Sequence, residues 1–131
     1  MPAVAARIGE REREGFPDPA RGDCTWFTLF SADITPTNAM SGGVAELAPG
    51  GPGLAPHRHA QPEIYYFVGG EGLLTVDGVE TLLRAGEAAY IPGDAEHSLR
   101  NAGRETLRVF YVFPTDRFSD VVYRFSADAA A

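Results

Sequence analysis

The chain contains three histidines, and two of them, His57 and His59, stand two residues apart. On an extended segment that spacing points both rings to one face. Glu63 shares their parity, so a strand or shallow bend carries all three side chains toward one space, and His97 arrives from a later strand. Three imidazoles and a carboxylate form a mixed nitrogen and oxygen site for one divalent transition metal. By softness alone the set admits Fe, Mn, Ni, Co or Zn. Taken by itself, His57-Arg58-His59 also fits a surface turn after a Pro/Gly loop, and the surrounding pattern has to decide.

Parity extends the reading. If Glu63 points inward, so do Tyr65 and Phe67, while Ile64, Tyr66 and Val68 point away. With His97 inward, Leu99 and Asn101 follow. Tyr65 is thereby placed next to the metal. A nearby divalent cation favours the phenolate, and a phenolate is a competent general base. The plainer alternative is a core aromatic whose hydroxyl is satisfied by a neighbour.

Positioning such a cluster takes several short strands. Gly and Pro number 15 and 10 among 131 residues and fall in clusters. Between them lie Trp26–Phe30, Val44–Leu47, Ile64–Val68, Leu73–Val76, Thr81–Leu83, Ala88–Ile91, His97–Arg100 and Thr106–Phe113. Short strands with closely spaced turn signals predict an all-β sandwich or barrel. Asp77-Gly78 predicts a two-residue hairpin. In the last strand Leu107, Val109, Tyr111 and Phe113 alternate with Arg108, Phe110 and Val112. Both faces are largely apolar, which predicts cover on both sides. The one helical candidate is Ala3–Glu14, whose Glu/Arg pattern reads as a solvated face.

Composition narrows the function. Eleven Lys+Arg against eighteen Asp+Glu leave a net charge of −7, which argues against nucleic acid and anionic membrane partners. No apolar run reaches the ~20 residues of a membrane helix, and the N-terminus lacks the apolar stretch of a signal peptide. The single cysteine, Cys24, forms no intrachain disulfide and reads as a small buried hydrophobe; this fits a cytoplasmic protein. The expected organisation is an N-terminal segment at 1–20, helical or irregular, a barrel domain at 21–125 and a frayed tail at 126–131.

Two stretches resemble the signature motifs of the cupin superfamily. The first runs from Gly51 through His57, His59 and Glu63 to Gly70; the second runs from Gly86 through Pro92 and His97 to Asn101. Every histidine falls on a ligand position of that pattern. The second motif departs at Asp94, where a glycine is usual, with Gly93 one place earlier still able to supply a positive φ in the turn. The resemblance implies a single cupin β-barrel of jelly-roll type (a double-stranded β-helix) of six to eight strands. It places the metal inside, on His57, His59, Glu63 and His97, with about two positions left open.

A closer resemblance is carried by Glu63-Ile64-Tyr65, Tyr90–His97, Asn101–Leu107 and the run Phe113-Pro114-Thr115-Asp116-Arg117-Phe118-Ser119-Asp120 through Tyr123. These are similar to the small cupin lyases that cleave dimethylsulfoniopropionate. The resemblance implies a β-elimination yielding dimethyl sulfide and acrylate, with Tyr65 as the base and Tyr123 as a second catalytic tyrosine. The implied partner is a small-molecule carboxylate substrate, and a homodimer is expected. Aromatic faces hold cationic groups such as its sulfonium; Trp26, Tyr65, Phe67, Tyr111 and Tyr123 could form such a wall. Trp26, Tyr111 and Phe113 also read as ordinary core residues, and Arg117 as a surface-turn partner of Asp116 or Asp120. A dioxygenase or isomerase acting on another small acid would use the same ligands, and a non-catalytic ligand-binding barrel would have little need of all four.

Overall fold

The computed structural model describes residues 2–129. Among these, eleven strands follow in order: β1 (Glu14–Gly15), β2 (Thr25–Phe30), β3 (Ser41–Leu47), β4 (Leu54–Arg58), β5 (Glu63–Gly69), β6 (Glu71–Val76), β7 (Val79–Arg84), β8 (Ala88–Ile91), β9 (His97–Asn101), β10 (Leu107–Phe113) and β11 (Arg124–Phe125). They form two antiparallel sheets, one ordered β1-β2-β3-β10-β5-β8 and the other β11-β4-β9-β6-β7. The strand count exceeds the expected six to eight, partly because the two-residue β1 and β11 extend one sheet each.

Burial alternates along the strands as the period-two pattern requires. In β5, Glu63, Tyr65 and Phe67 are buried and Ile64, Tyr66 and Val68 exposed; in β9, His97, Leu99 and Asn101 are buried. The core between the sheets includes Leu47, Phe67, Ile91, Leu107, Val109 and Phe113, all with no measurable exposure. β10 differs from expectation. Its Leu107, Val109, Tyr111 and Phe113 face is buried, but Phe110 and Val112 on the other face stay half-exposed in the single chain.

Turn chemistry fixes the registers. Asp77 and Gly78 both take positive φ, 46° and 81°, joining the paired Val76 and Val79; this is the two-residue turn whose twist matches the flanking strands. In the turn before β9, the left-handed residue is Asp94 at φ 61°, not Gly93. Asp tolerates that conformation better than most side chains. Gly93 serves a different need, since a Cβ there would meet the Ala60 carbonyl oxygen at 2.5 Å.

The Ala3–Glu14 stretch is not a helix; only Ile8–Glu10 make a 3-10 turn. Its charged groups are used against β2 instead. Arg11 donates to the Thr28 and Leu29 carbonyls, Arg13 to Thr25 and Glu46, and Thr28 donates to Glu14. At the other end, Ser126–Ala129 form one helical turn where a frayed tail was expected. Ser126 bonds Glu96, and Asp128 pairs with Arg21. Ala130 and Ala131 lie outside the described residues.

Candidate metal centre

His57 on β4 and His97 on β9 are directly opposite across an antiparallel pair. The register between these strands shifts after Leu54, in the segment that contains Pro56, which cannot donate a ladder hydrogen bond. His59 follows β4, and the bend at Ala60–Pro62 carries the chain into the other sheet, where Glu63 opens β5. The four side chains thus come from both layers, and all four are buried.

Each ring is oriented by its own backbone. The Nδ1 atoms of His57, His59 and His97 lie 2.8, 2.9 and 2.9 Å from the carbonyl oxygens of Ala55, Gln61 and Ala95. A carbonyl only accepts, so each Nδ1 carries the hydrogen, and in a neutral ring Nε2 is left as a bare lone pair. Burial first, then the neighbouring His97, pushes the His57 pKa down to about 3, so this ring stays neutral. The ligand atoms of the three histidines lie within 4.8 Å of one another and could hold a metal ion.

The Nε2 atoms of all three rings and Oε1 of Glu63 are buried without hydrogen-bond partners. Glu63 Oε1 stands 3.2 Å from His59 Nε2 and 3.4 Å from His97 Nε2. Acceptors facing one another at such range are costly, on the order of 1–3 kcal/mol for each unsatisfied group. Two cis ligands at ~2.1 Å from a shared cation would stand about 3 Å apart, which is close to this spacing. The three histidines therefore fit a divalent cation, and Glu63, close to His59 and His97 but outside that group of three, is available as a further donor.

Around this cluster lies an aromatic wall. Tyr65 is buried on β5 with its ring 6.5 Å from that of His97. Tyr123 stacks on His57, centroids 4.9 Å apart at 21°, and meets His59 edge-on at 5.3 Å. In the protein alone, burial and then the Glu63 charge push both phenols well above the ordinary tyrosine value. That direction is opposite to the one expected beside a metal, so any phenolate here depends on a bound cation.

A narrow inner cavity of about 20 Å³ opens beside Glu63, Tyr65, Tyr123 and Trp26. Trp26 and Tyr111 both line it, while Tyr111 is also part of the hydrophobic core and Trp26 packs against that core, as expected for core residues. Phe67 does not line it and packs in the core, while Phe113 lies edge-on to His59 at 5.1 Å. Cys24 also lines the cavity, but burial pushes its thiol up to about 12, which leaves it unreactive. Arg117 faces Asp33 at 3.7 Å on the surface, not Asp116 or Asp120. Asn101 secures the turn after β9 through Leu47, Gly103 and Glu105, away from the cluster.

Three wall residues escaped the sequence reading. Phe16 packs on Trp26 at 4.8 Å, Phe125 sits 5.4 Å from His57, and Phe118 lies 6.4 Å from Tyr123. Phe118 carried a usable signal as the one large apolar residue in an otherwise polar turn. Phe16 and Phe125 sit on or beside two-residue strands too short for any periodicity to show.

Residues 43–113 match the cupin domain family. With two facing antiparallel sheets and histidines gathered between them, the chain belongs to the cupin family. It is 45% identical over 115 residues to the dimethylsulfoniopropionate lyase DddW of Ruegeria pomeroyi, covering 88% of this chain and 74% of that protein. Among solved structures, a predicted oxalate decarboxylase from Thermotoga maritima superposes with a TM-score of 0.73 at 25% identity, over 86% of this chain and 99% of the other. A structure described with the dimethylsulfoniopropionate lyases RdDddP and RnDddQII gives 0.71 at 20% identity, over 88% and 62%, a likeness of fold alone. No helix among the described residues is long and apolar enough to cross a membrane.

Proposed function

We propose that this chain is a metal-dependent carbon–sulfur lyase that converts dimethylsulfoniopropionate to dimethyl sulfide and acrylate. One observation carries the reading: four buried, unpartnered acceptors converge beside two phenols, in a chain 45% identical to DddW. His57, His59, Glu63 and His97 would hold one divalent transition metal. When bound, that cation would stabilise the negative charge that develops at the substrate carboxylate and favour a neighbouring phenolate.

The remaining chemistry belongs to the chain. The Tyr65 phenolate oxygen takes the α-proton, forming its O–H bond. The C–H electron pair becomes the new carbon–carbon double bond, and the C–S pair leaves on sulfur as neutral dimethyl sulfide. Before it leaves, the sulfonium is a cation, and the faces of Trp26 and Tyr123 suit it. Tyr123, stacked on His57 and lining the same cavity, would serve as a second acid–base group, taking up the proton that Tyr65 has received.

The test is release of dimethyl sulfide into the headspace by protein loaded in turn with Fe(II), Mn(II), Ni(II), Co(II) and Zn(II), with Tyr65→Phe alongside. Release by the wild type, and its loss in a variant that still binds metal, is the expected result. No release with any of the five metals would remove the substrate assignment; full activity in Tyr65→Phe would remove the base.

A further inference from the structure

We propose that Phe118 is the gate between the outer surface and the inner cavity, and that Ser31 and Asp33 hold it shut; this rests on the reading above only for the identity of the molecule that passes. A second cavity of about 410 Å³ lies outside the barrel, between the N-terminal segment and the turn at 31–34. Among the described residues, Phe118 is the one that lines both this outer cavity and the inner one beside Glu63 and Tyr65. The inner cavity, at about 20 Å³, has room for little more than a water molecule. A substrate carrying both a carboxylate and a dimethylsulfonium group needs more space, so something in the wall must move.

Phe118 is half-buried and belongs to a short 3-10 turn, Phe118–Asp120. Its ring packs 6.0 Å from Trp26 and 6.4 Å from Tyr123. A distant part of the chain fixes its backbone. The Phe118 N–H donates to the Ser31 hydroxyl at 3.0 Å, and that hydroxyl donates to Asp33 Oδ2 at 2.9 Å. Asp33 also accepts from the Ser119 N–H at 3.2 Å and the Ser119 hydroxyl at 2.9 Å. Ser31 is fully buried, so its hydroxyl has no water to exchange with. The Asp120 carbonyl, held by Gln61, and the Asp116 carbonyl, held by Ala32, tether the segment on either side. Cutting the Ser31–Asp33 contacts would therefore let the ring swing while its flanks stay anchored.

Trp26 is the sole tryptophan and lines the inner cavity, so quenching of its fluorescence by acrylamide reads access directly. Asp33→Asn replaces one accepting oxygen with a donor amide and touches neither Trp26 nor the inner cavity. The expected result is a quenching constant raised roughly twofold or more in both Asp33→Asn and Phe118→Ala, as local opening becomes more frequent. Asp33→Glu, which keeps two accepting oxygens, should return the constant toward wild type. The thermal midpoint of Asp33→Asn should stay near that of wild type. A rise in Phe118→Ala alone would overturn the latch and leave Phe118 as mere cover over Trp26. No rise in either variant would overturn the gate. Raised quenching in protein that releases no dimethyl sulfide would uphold the gate and remove only the substrate.

Discussion

The ring of Tyr123 lies almost parallel to that of His57, 4.9 Å away, while Nδ1 of the same imidazole is tied to the Ala55 carbonyl. The stack and the hydroxyl of Tyr123 are therefore separable by substitution. Tyr123→Phe should keep the stack, the fold and bound metal, yet lose about 10²–10⁴-fold in kcat if the hydroxyl moves a proton. Tyr123→Ala should lose metal affinity as well. Turnover beside metal content, measured on both variants, checks this; a fully active Tyr123→Phe would leave only a packing role.

Metal removal should cost stability, because it leaves three clustered imidazole nitrogens and the neighbouring Glu63 oxygen buried without partners. With metal at a hundred times its dissociation constant, linkage contributes about 2.7 kcal/mol. At roughly 4 °C for each kcal/mol in a domain of this size, the chelated protein should melt about 10 °C lower. Calorimetry with and without chelator measures the difference, and an unchanged midpoint would count against a cation at these residues.

The turn before β9 should distinguish its two neighbours. Gly93→Ala drives a Cβ into the Ala60 carbonyl and should cost on the order of 1–3 kcal/mol. Because Ala60 follows His59, metal affinity should fall too. Asp94→Ala keeps the left-handed backbone without the Arg124 contact, whereas Asp94→Gly relieves the backbone and should be about 1 kcal/mol more stable than Asp94→Ala. Denaturant midpoints of the three variants give the ranking.

Burial alone would raise the Glu46 carboxyl, but hydrogen bonds from Arg13 and Arg108, both 2.6 Å, outweigh it and hold it below its ordinary value. A carboxyl depressed in the folded state adds stability above its unfolded pKa and loses it as pH falls through the folded one. Glu46→Gln should therefore be destabilising at pH 7 and nearly neutral near pH 3, as urea midpoints across that range would record. An equal deficit at both pH values would show that packing, not charge, is lost.

The inward set on β5 and β9 was legible in the sequence because one buried face imposes strict alternation, and the polar residues Glu63 and His97 fall on that apolar face in phase with it. Glu63 and Tyr65 could be placed from parity alone. The pairing of His57 with His97 could not, since register depends on contacts distant in the chain. The N-terminal arginines misled because Arg11 is spent on β2 carbonyls and Arg13 on the Thr25 and Glu46 side chains, and a charge pattern along the sequence does not reveal such distant partners. Asp94 took the conformation reserved for a glycine because Gly93 was needed for clearance.

β11 pairs with β4 directly behind the first histidine, placing Phe125 opposite His57. Tyr123 and Phe125, which pack on His57, come from the far C-terminal end of the described residues, whereas Phe16 and Trp26 in the same wall come from the N-terminal part. The wall behind His57 is thus completed by the last strand of the described residues, and that strand is only two residues long. A truncation before Arg124 would therefore remove the β11 partner of His57 and leave every residue before it in place.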